Sequence, residues 1–266
     1  MSSNDPFILE ADRASVRRLA LNRPNQRNPL SDAMMLAIQA ALDRAIADDA
    51  VRVIILTGQG PAFSAGHDLK EMRQHKTDPD QGAAFFAQLF DRCGRLMRSI
   101  VASPKPVIAE VRGVATAAGC QLVASCDLAI AEPQARFATP GVNIGLFCST
   151  PMVALTRAVP RKAAMEMLLL GDMVDAERAR EIGLINRIVE ADQLSAAVDD
   201  LARRIAEKSA HVVAIGKRLF QDQMDRDLAG AYAISAEAMT RNMLSDDAGE
   251  GIGAFLEKRE PHWGDR

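Results

Sequence analysis

Long apolar runs are missing from this 266-residue chain. The longest, such as 53–56 and 168–170, fall far short of the ~20 residues that a membrane-crossing helix needs, so no membrane span is expected. An excess of charge of one sign is missing too. The 32 lysines and arginines face 35 aspartates and glutamates, a net charge of −3, and no global field draws a polyanion such as nucleic acid. An anionic ligand would need local basic residues. Only four cysteines occur, Cys93, Cys120, Cys126 and Cys148, with no C-x-x-C pair and no histidine at metal spacing. They read as reduced, Cys120 and Cys126 as small core filler, and no metal site is expected. The N-terminal stretch MSSNDPFILEADR carries acidic residues and no apolar h-region, so it does not read as a secretory signal and a cytoplasmic location is expected. No G-x-x-x-x-G-K-[ST], H-E-x-x-H or G-x-S-x-G motif appears, which removes the commonest NTPase, metalloprotease and α/β-hydrolase readings. Gly113 and Gly119 are not at G-x-G-x-x-G spacing, which argues against a dinucleotide site. Neither a low-complexity linker nor a repeat of solenoid length is present.

What is there suits a sizeable core: 48% of the residues are hydrophobic, enough for one large domain or one domain with an appendage. Residues 7–10 and 15–21 read as a hairpin. Ser31 is placed to cap a helix whose apolar stripe runs Met34, Met35, Ile38, Leu42 and Ile46. The run 51–58 is β-branched and ends in glycine, as a strand buried on both faces would be. A second cycle follows: a helix over 83–100, the break Pro104-Lys105-Pro106, a strand over 107–111, a short buried helix over 119–125 and a strand over 128–131. Alternation of this kind predicts an α/β sheet with crossovers. Beyond about residue 150 the pattern turns helical, over 151–158, 161–170, 176–182, 191–208, 211–224 and two further segments, interrupted by a strand at 185–189. We therefore expect an α/β core over 1–200 and a helical C-terminal region over 201–266.

Two small-residue stretches, Ala62-Phe-Ser-Ala-Gly-His-Asp-Leu69 and Gly113-Val-Ala-Thr-Ala-Ala-Gly-Cys120, read as turns after strands that should be neighbours. Residues without bulk let a ligand approach the backbone, and amides at a helix start point outward with partial positive charge. Two such turns facing each other can hold a carbonyl oxygen as its charge grows. The alternative is that small residues here serve only tight packing of helix on sheet.

The order and spacing of Asn22-Arg23-Pro24, Arg27-Asn28, 62–69, Lys105-Pro106-Val107-Ile108-Ala109, Gly119-Cys120 and Cys126-Asp127-Leu128 resemble the enoyl-CoA hydratase/isomerase (crotonase) superfamily. The segments 137–145, 160–163 and 183–189 extend the likeness over nearly the whole chain. One branch of that family also reads A-T-A-A-G-C-Q, F-A-T-P-G-V-N and G-L-F-C-S-T-P. The resemblance implies a spiral of ββα units with a helical C-terminal region that forms trimers, usually as a dimer of trimers. It also implies a coenzyme A thioester as ligand, with no cofactor beyond that coenzyme A moiety. The family's oxyanion hole falls on the backbone N–H groups of His67 and Ala118. Its coenzyme A path falls on Arg27, Ala65, Asp68 and Leu69, and the C-terminal pair that touches the nucleotide end from a neighbouring subunit on Phe255 and Lys258.

The chain departs from the family's hydratases at two places. A glutamate follows their G-C pair, where this chain has Gln121; a second follows the proline of F-x-x-P-E, where Phe137-Ala-Thr-Pro140 leads to Gly141. Hydration needs a carboxylate to activate water and a proton source for the α-carbon. A carboxamide does not take and return a proton at neutral pH, and glycine has no side chain. Side chains that border the acyl pocket by the resemblance are Asn143, Cys148 and Ser149. With Pro151 just inside the next helix, Ser149 or Thr150 is expected to cap it, and Cys148 is either a thiolate favoured by the helix start or a buried inert thiol. Gln121 either orients substrate or water or satisfies backbone groups. The His67 ring titrates in the neutral range when unperturbed, while Asp68 is expected to cap the turn. His75, His211 and His262 have no partner spacing and read as surface residues. Two functions fit: a lyase or isomerase passing through a thioester enolate, decarboxylation or retro-type cleavage suiting the residues better than hydration, or a non-catalytic acyl-CoA binding or regulatory protein.

Overall fold

The computed structural model describes residues 5–264; the first four residues of the N-terminal stretch and the last two of the C-terminal region lie outside it. A hairpin opens the chain, β1 (Ile8–Arg13) antiparallel to β2 (Val16–Leu21). The Ser31 hydroxyl then accepts the Met34 N–H and caps α1 (Asp32–Ala47), which buries Met34, Met35, Ile38 and Leu42. Next comes β3 (Val53–Gly58), all six residues buried, followed by β4 (Ala62–Ser64), α2 (Leu69–His75) and α3 (Ala83–Ala102). The plan repeats as β5 (Val107–Val111), β6 (Val114–Thr116) and α4 (Ala118–Ser125). It repeats again as β7 (Leu128–Ala131), β8 (Arg136–Ala138), a 3-10 turn (Pro140–Ile144) and α5 (Ser149–Ala158). Then follow α6 (Arg161–Leu170), β9 (Val174–Asp175), α7 (Ala176–Glu181), β10 (Arg187–Ile188) and α8 (Leu194–Ala206). Three helices close the chain: α9 (Ala210–Met224), α10 (Leu228–Met243) and α11 (Asp246–Glu257).

Each cycle gives one strand to a six-stranded sheet, ordered β1-β2-β3-β5-β7-β10, and one to a four-stranded sheet, ordered β4-β6-β8-β9. The large sheet is parallel from β2 onward, and β4, β6 and β8 are parallel to one another. Parallel neighbours require a crossover, and the helices supply it. The result is a spiral of ββα units, the fold that the resemblance implies. Alternate residues of β3 face opposite layers, as the pleat dictates: Ile54 and Leu56 join the main core with α1 and α3, while Val53 and Ile55 meet Leu194, Val198 and Ala202 of α8.

The small sheet corrects the reading of 62–69 and 113–120 as turns alone. The strands β4, β6 and β8 have three residues each, too few to show a period of 2 among the small residues around them, so pairing with each other is what makes them strands. Helix α2 was equally invisible, because none of its residues is buried.

The last three helices bury little, α9 no residue at all and α10 only Ala238. They leave Phe220, Met224, Leu228, Tyr232, Phe255 and Leu256 exposed. Lys217 fastens α9 to the α/β body: its Nζ donates to Ile100 O and Lys105 O at 3.1 Å each and to Asp127 Oδ2 at 2.6 Å. No helix among the described residues is long and apolar enough to cross a membrane.

Candidate functional site

Asn28 is the organiser of the first turn. Fully buried, with φ 51, it donates from Nδ2 to Gln59 O (2.9 Å) and Ala62 O (2.8 Å), while its Oδ1 accepts the Arg23 N–H (2.8 Å). Asn tolerates the left-handed region better than most residues, and its side chain can mimic backbone groups. Segment 62–67 is then tied along 27–30. Ser64 Oγ donates to Asn28 O (2.8 Å), Ala65 N–H to Arg27 O (2.9 Å) and Leu30 N–H to Gly66 O (2.7 Å).

That last bond fixes where the next amide points. A trans peptide is planar with C=O and N–H opposed, so with Gly66 O turned to Leu30 the N–H of His67 is turned the other way. Gly66, at φ +88, lies against the second turn: a Cβ added to it would stand 2.8 Å from the Ala117 Cβ and 3.3 Å from the Ala118 nitrogen. Ala117 holds φ 50, ψ −118, outside the regions open to ordinary L-residues. Its N–H donates to Ala138 O and its C=O accepts the Gln121 N–H. The same planarity argument points the N–H of Ala118 out of the helix start, where the first residue of a helix has no intrahelical acceptor. Two small-residue segments thus meet, each presenting a backbone amide; Gly119 seals the contact, since a Cβ there would stand 2.3 Å from Ser64 O.

The side chains around these amides are largely engaged elsewhere. Asp68 Oδ1 accepts the Lys70 and Glu71 N–H groups and caps α2, as expected. Glu71, which the sequence alone does not single out, accepts the Asp32 N–H at 3.0 Å, and burial with Asp68 beside it pushes its pKa up. Gln121, 4% exposed, accepts the Cys93 thiol on Oε1 at 3.6 Å. At Gly141 there is no room for a side chain: an added Cβ would lie 2.8 Å from Leu146 O and 2.9 Å from Cys148 Sγ. The Gly141 N–H donates to that sulfur at 3.3 Å.

Burial raises the pKa of Cys148, the Gly141 N–H partly opposing it, so it is the protonated inert thiol of the two readings and not a thiolate. Cys93 and Cys120 are pushed up to about 12 by burial. Capping by Ser149 or Thr150 is overturned: the N-cap of α5 is Cys148, without a side-chain cap bond, because Ser149 is already helical and its hydroxyl turns back to Phe147 O. Asn143 Nδ2 donates to Gly171 O at 3.4 Å, tying the 3-10 turn to the loop after α6. His75 is not partnerless, since it pairs with Asp78 at 2.7 Å and stacks on Phe85 at 3.6 Å. Three residues apart on a tight turn, the pair is closed by local geometry that spacing alone does not reveal.

Arg27, Ala65 and Leu69 are exposed around the first turn and Asp68 is half-buried among them, so these four are brought together. Phe255 stands exposed on α11, which packs on α10, and Lys258 is exposed at its C-terminal cap; they are not among the residues gathered at the two turns. The arrangement brings the peptides before His67 and Ala118 close together, with Gln121 and Gly141 at the two neighbouring positions singled out in the sequence.

The family described as Enoyl-CoA hydratase/isomerase matches residues 11–266. Human enoyl-CoA hydratase domain-containing protein 3, mitochondrial, is 46% identical over 248 residues, 93% of this chain and 80% of the relative. Crotonyl-CoA hydratase of Syntrophomonas wolfei is 34% identical over 251 residues, 92% and 93% of the two. Among solved structures, the enoyl-CoA hydratase of Mycobacterium smegmatis superposes with a TM-score of 0.92 at 47% identity, covering 97% of this chain and 99% of that one. Human enoyl Coenzyme A hydratase domain-containing protein 3 gives 0.91 at 44%, covering 97% and 100%. The family, the branch and the fold expected from the sequence are borne out. The cytoplasmic location is not, for the mouse, rat, human and frog relatives are named mitochondrial, which points away from the cytoplasm. The lack of an apolar h-region in residues 1–13 carries no information on mitochondrial import.

Proposed function

The chain belongs to the enoyl-CoA hydratase/isomerase family, and from that membership we propose that it binds acyl-CoA thioesters and polarises the thioester carbonyl with the backbone N–H groups of His67 and Ala118. The observation that supports this reading is the pair of peptide planes: Gly66 O is turned to Leu30 and Ala117 O into α4, so the two following amides are turned away from those acceptors, in segments packed so closely that Gly66 has no room for a Cβ. Donors fixed before the ligand arrives need no reorganisation as charge develops on the oxygen. Arg27, Ala65, Asp68 and Leu69 line the coenzyme A path in this reading, with Phe255 and Lys258 reaching the nucleotide end of a neighbouring subunit's ligand. The α/β core of 1–200 would act as the binding unit and 201–266 as the region that assembles trimers or dimers of trimers.

Reactions in which the thioester enolate forms without a protein base fit the residues better than hydration. Gln121 does not shuttle a proton, Cys93 and Cys148 are held protonated, and position 141 has no side chain. Decarboxylation generates the enolate by loss of carbon dioxide, and retro-type cleavage generates it by departure of a carbonyl fragment. The second reading, binding without turnover, is favoured by the same engaged side chains.

Calorimetry with butyryl-CoA, beside turnover of enoyl-, malonyl-type and hydroxyacyl-CoA thioesters, tests these readings. Ala118→Pro removes one donor at the first helical position, where proline is tolerated. Any enolate-forming turnover should fall ~10²–10³-fold. Undiminished turnover in that variant sinks the oxyanion assignment, and failure of the wild type to bind butyryl-CoA sinks the whole reading.

A further inference from the structure

His67 presents a puzzle that its neighbours resolve. Its Nδ1 lies 3.1 Å from Leu30 O. A carbonyl only accepts, so Nδ1 carries the proton and Nε2 is bare. Yet Nε2 is buried with no partner among the described residues, its ring standing edge-on to Phe90 with centroids 5.7 Å apart. An orphaned buried nitrogen is unfavourable; a leucine would fill the same space without it. Something gained on the Nδ1 side must offset that cost.

What is gained concerns the peptide between Gly66 and His67. Glycine is the residue whose backbone turns most freely, and Gly66 sits immediately before the amide in question. The Leu30 N–H to Gly66 O bond holds that peptide from one side. The ring bond to Leu30 O, from the same residue, holds it from the other. Residue 30 therefore holds the carbonyl of that peptide directly and, through the ring, the Cα on which the peptide pivots at its far end; rotation of the peptide has to break the first bond, and the second denies residue 67 the shift that would accompany it.

We propose that the imidazole of His67 is a positioning residue, its Nδ1–H to Leu30 O bond holding the His67 amide aimed at the ligand's thioester carbonyl. This rests on the oxyanion reading above and adds to it a side chain that sets the donor's direction. The ring takes no proton from substrate. Burial lowers its pKa against the pull of the Leu30 carbonyl, which keeps it neutral with the tautomer fixed.

Isotope-edited infrared spectroscopy of bound butyryl-CoA, labelled at the thioester carbonyl, reads the donor's aim without any turnover. The wild type should move the carbonyl stretch to lower frequency. His67→Asn, whose amide nitrogen sits where Nδ1 does, should keep most of that shift. His67→Gln, which mimics Nε2, and His67→Leu should lose more than half of it while still binding through the coenzyme A moiety. Because leucine removes the orphaned nitrogen, His67→Leu should melt no lower than the wild type, which separates positioning from packing. A full shift in the Leu or Gln variant overturns the proposal. Nitrogen-15 NMR of the wild-type imidazole tests the bond without any variant: the proton should sit on Nδ1 of a neutral ring, whereas a neutral ring with its proton on Nε2 rules out the Leu30 bond. If the wild type binds butyryl-CoA without shifting its carbonyl, the oxyanion reading itself falls, an outcome distinct from loss confined to the variants.

Discussion

Gly141 and Cys148 occupy one volume between them, and that has consequences for any attempt to give the chain the family's missing carboxylate. A Cβ at 141 meets the Cys148 sulfur and the Leu146 carbonyl within 3.0 Å, so Gly141→Ala should overpack the site and destabilise the fold by ~1–3 kcal/mol. Removing the thiol in a Gly141→Ala, Cys148→Gly double variant should recover part of this. Urea unfolding of the four forms gives the coupling; strictly additive effects would show that the thiol is not what excludes the side chain. Titration behaviour at single residues is equally testable. His67 has a folded pKa below its ordinary 6.5, so the unfolded chain binds the extra proton first and stability should fall as pH drops below about 6.5. Cys93 and Cys120 are shifted the other way, from 9.0 to about 12. In that window the unfolded chain loses thiol protons that the folded chain keeps, so stability should fall as pH rises above about 9, by up to about 1.4 kcal/mol per pH unit for each thiol. Cys93→Ala should flatten the alkaline limb of a urea midpoint against pH profile, and an unchanged slope would refute the assignment.

Among the elements, α9 is held by charge where α1, α3 and α8 are held by apolar burial. Lys217 is nearly enclosed, and its three acceptors come from the end of α3, the loop before β5 and the Asp127 carboxylate, which also accepts the Val107 N–H at 2.7 Å. Removing one partner of an enclosed pair leaves the other charge poorly solvated. Lys217→Met should therefore lower stability by ~1–3 kcal/mol, discounted from a fully buried pair because Asp127 keeps contact with water. Hydrogen exchange should show α9 amides opening more often while β3 and β5 stay protected. Uniform loss of protection would argue that α9 is not a separately fastened element. Legibility in the sequence follows the same physics. Helix α1 is readable because its stripe and cap are both local, and β3 because a strand buried on both faces is a β-branched run. The strands β4, β6 and β8 are not, since segments of three residues acquire strand geometry only from long-range partners.

For the whole molecule, the exposed apolar residues of α9, α10 and α11 form more surface than isolated exposed side chains explain. Sedimentation velocity should give a mass that is a multiple of three 28.7 kDa chains. Tyr232→Glu, on a residue 73% exposed in the single chain, should shift the population towards smaller species; a wild type that sediments as a monomer at micromolar concentration would remove the assembly role given to 201–266. The candidate site was legible as a pair of segments but not as a set of side-chain roles. That Gly66 and Ala118 approach each other follows from strand order. That Gln121 faces Cys93 and that Asn143 faces Gly171 depend on packing between elements apart in sequence.

Ala117 leaves one more mark on the molecule. Reflected through a mirror, its φ 50, ψ −118 becomes −50, 118, close to the first central position of an ordinary type II turn. Position 117 is thus shaped for a right-handed building block, and the ribosome supplies a left-handed one. A chain assembled by chemical ligation with D-alanine at that single place should fold to the same backbone with its methyl group redirected, and should withstand heat better than the natural enantiomer does.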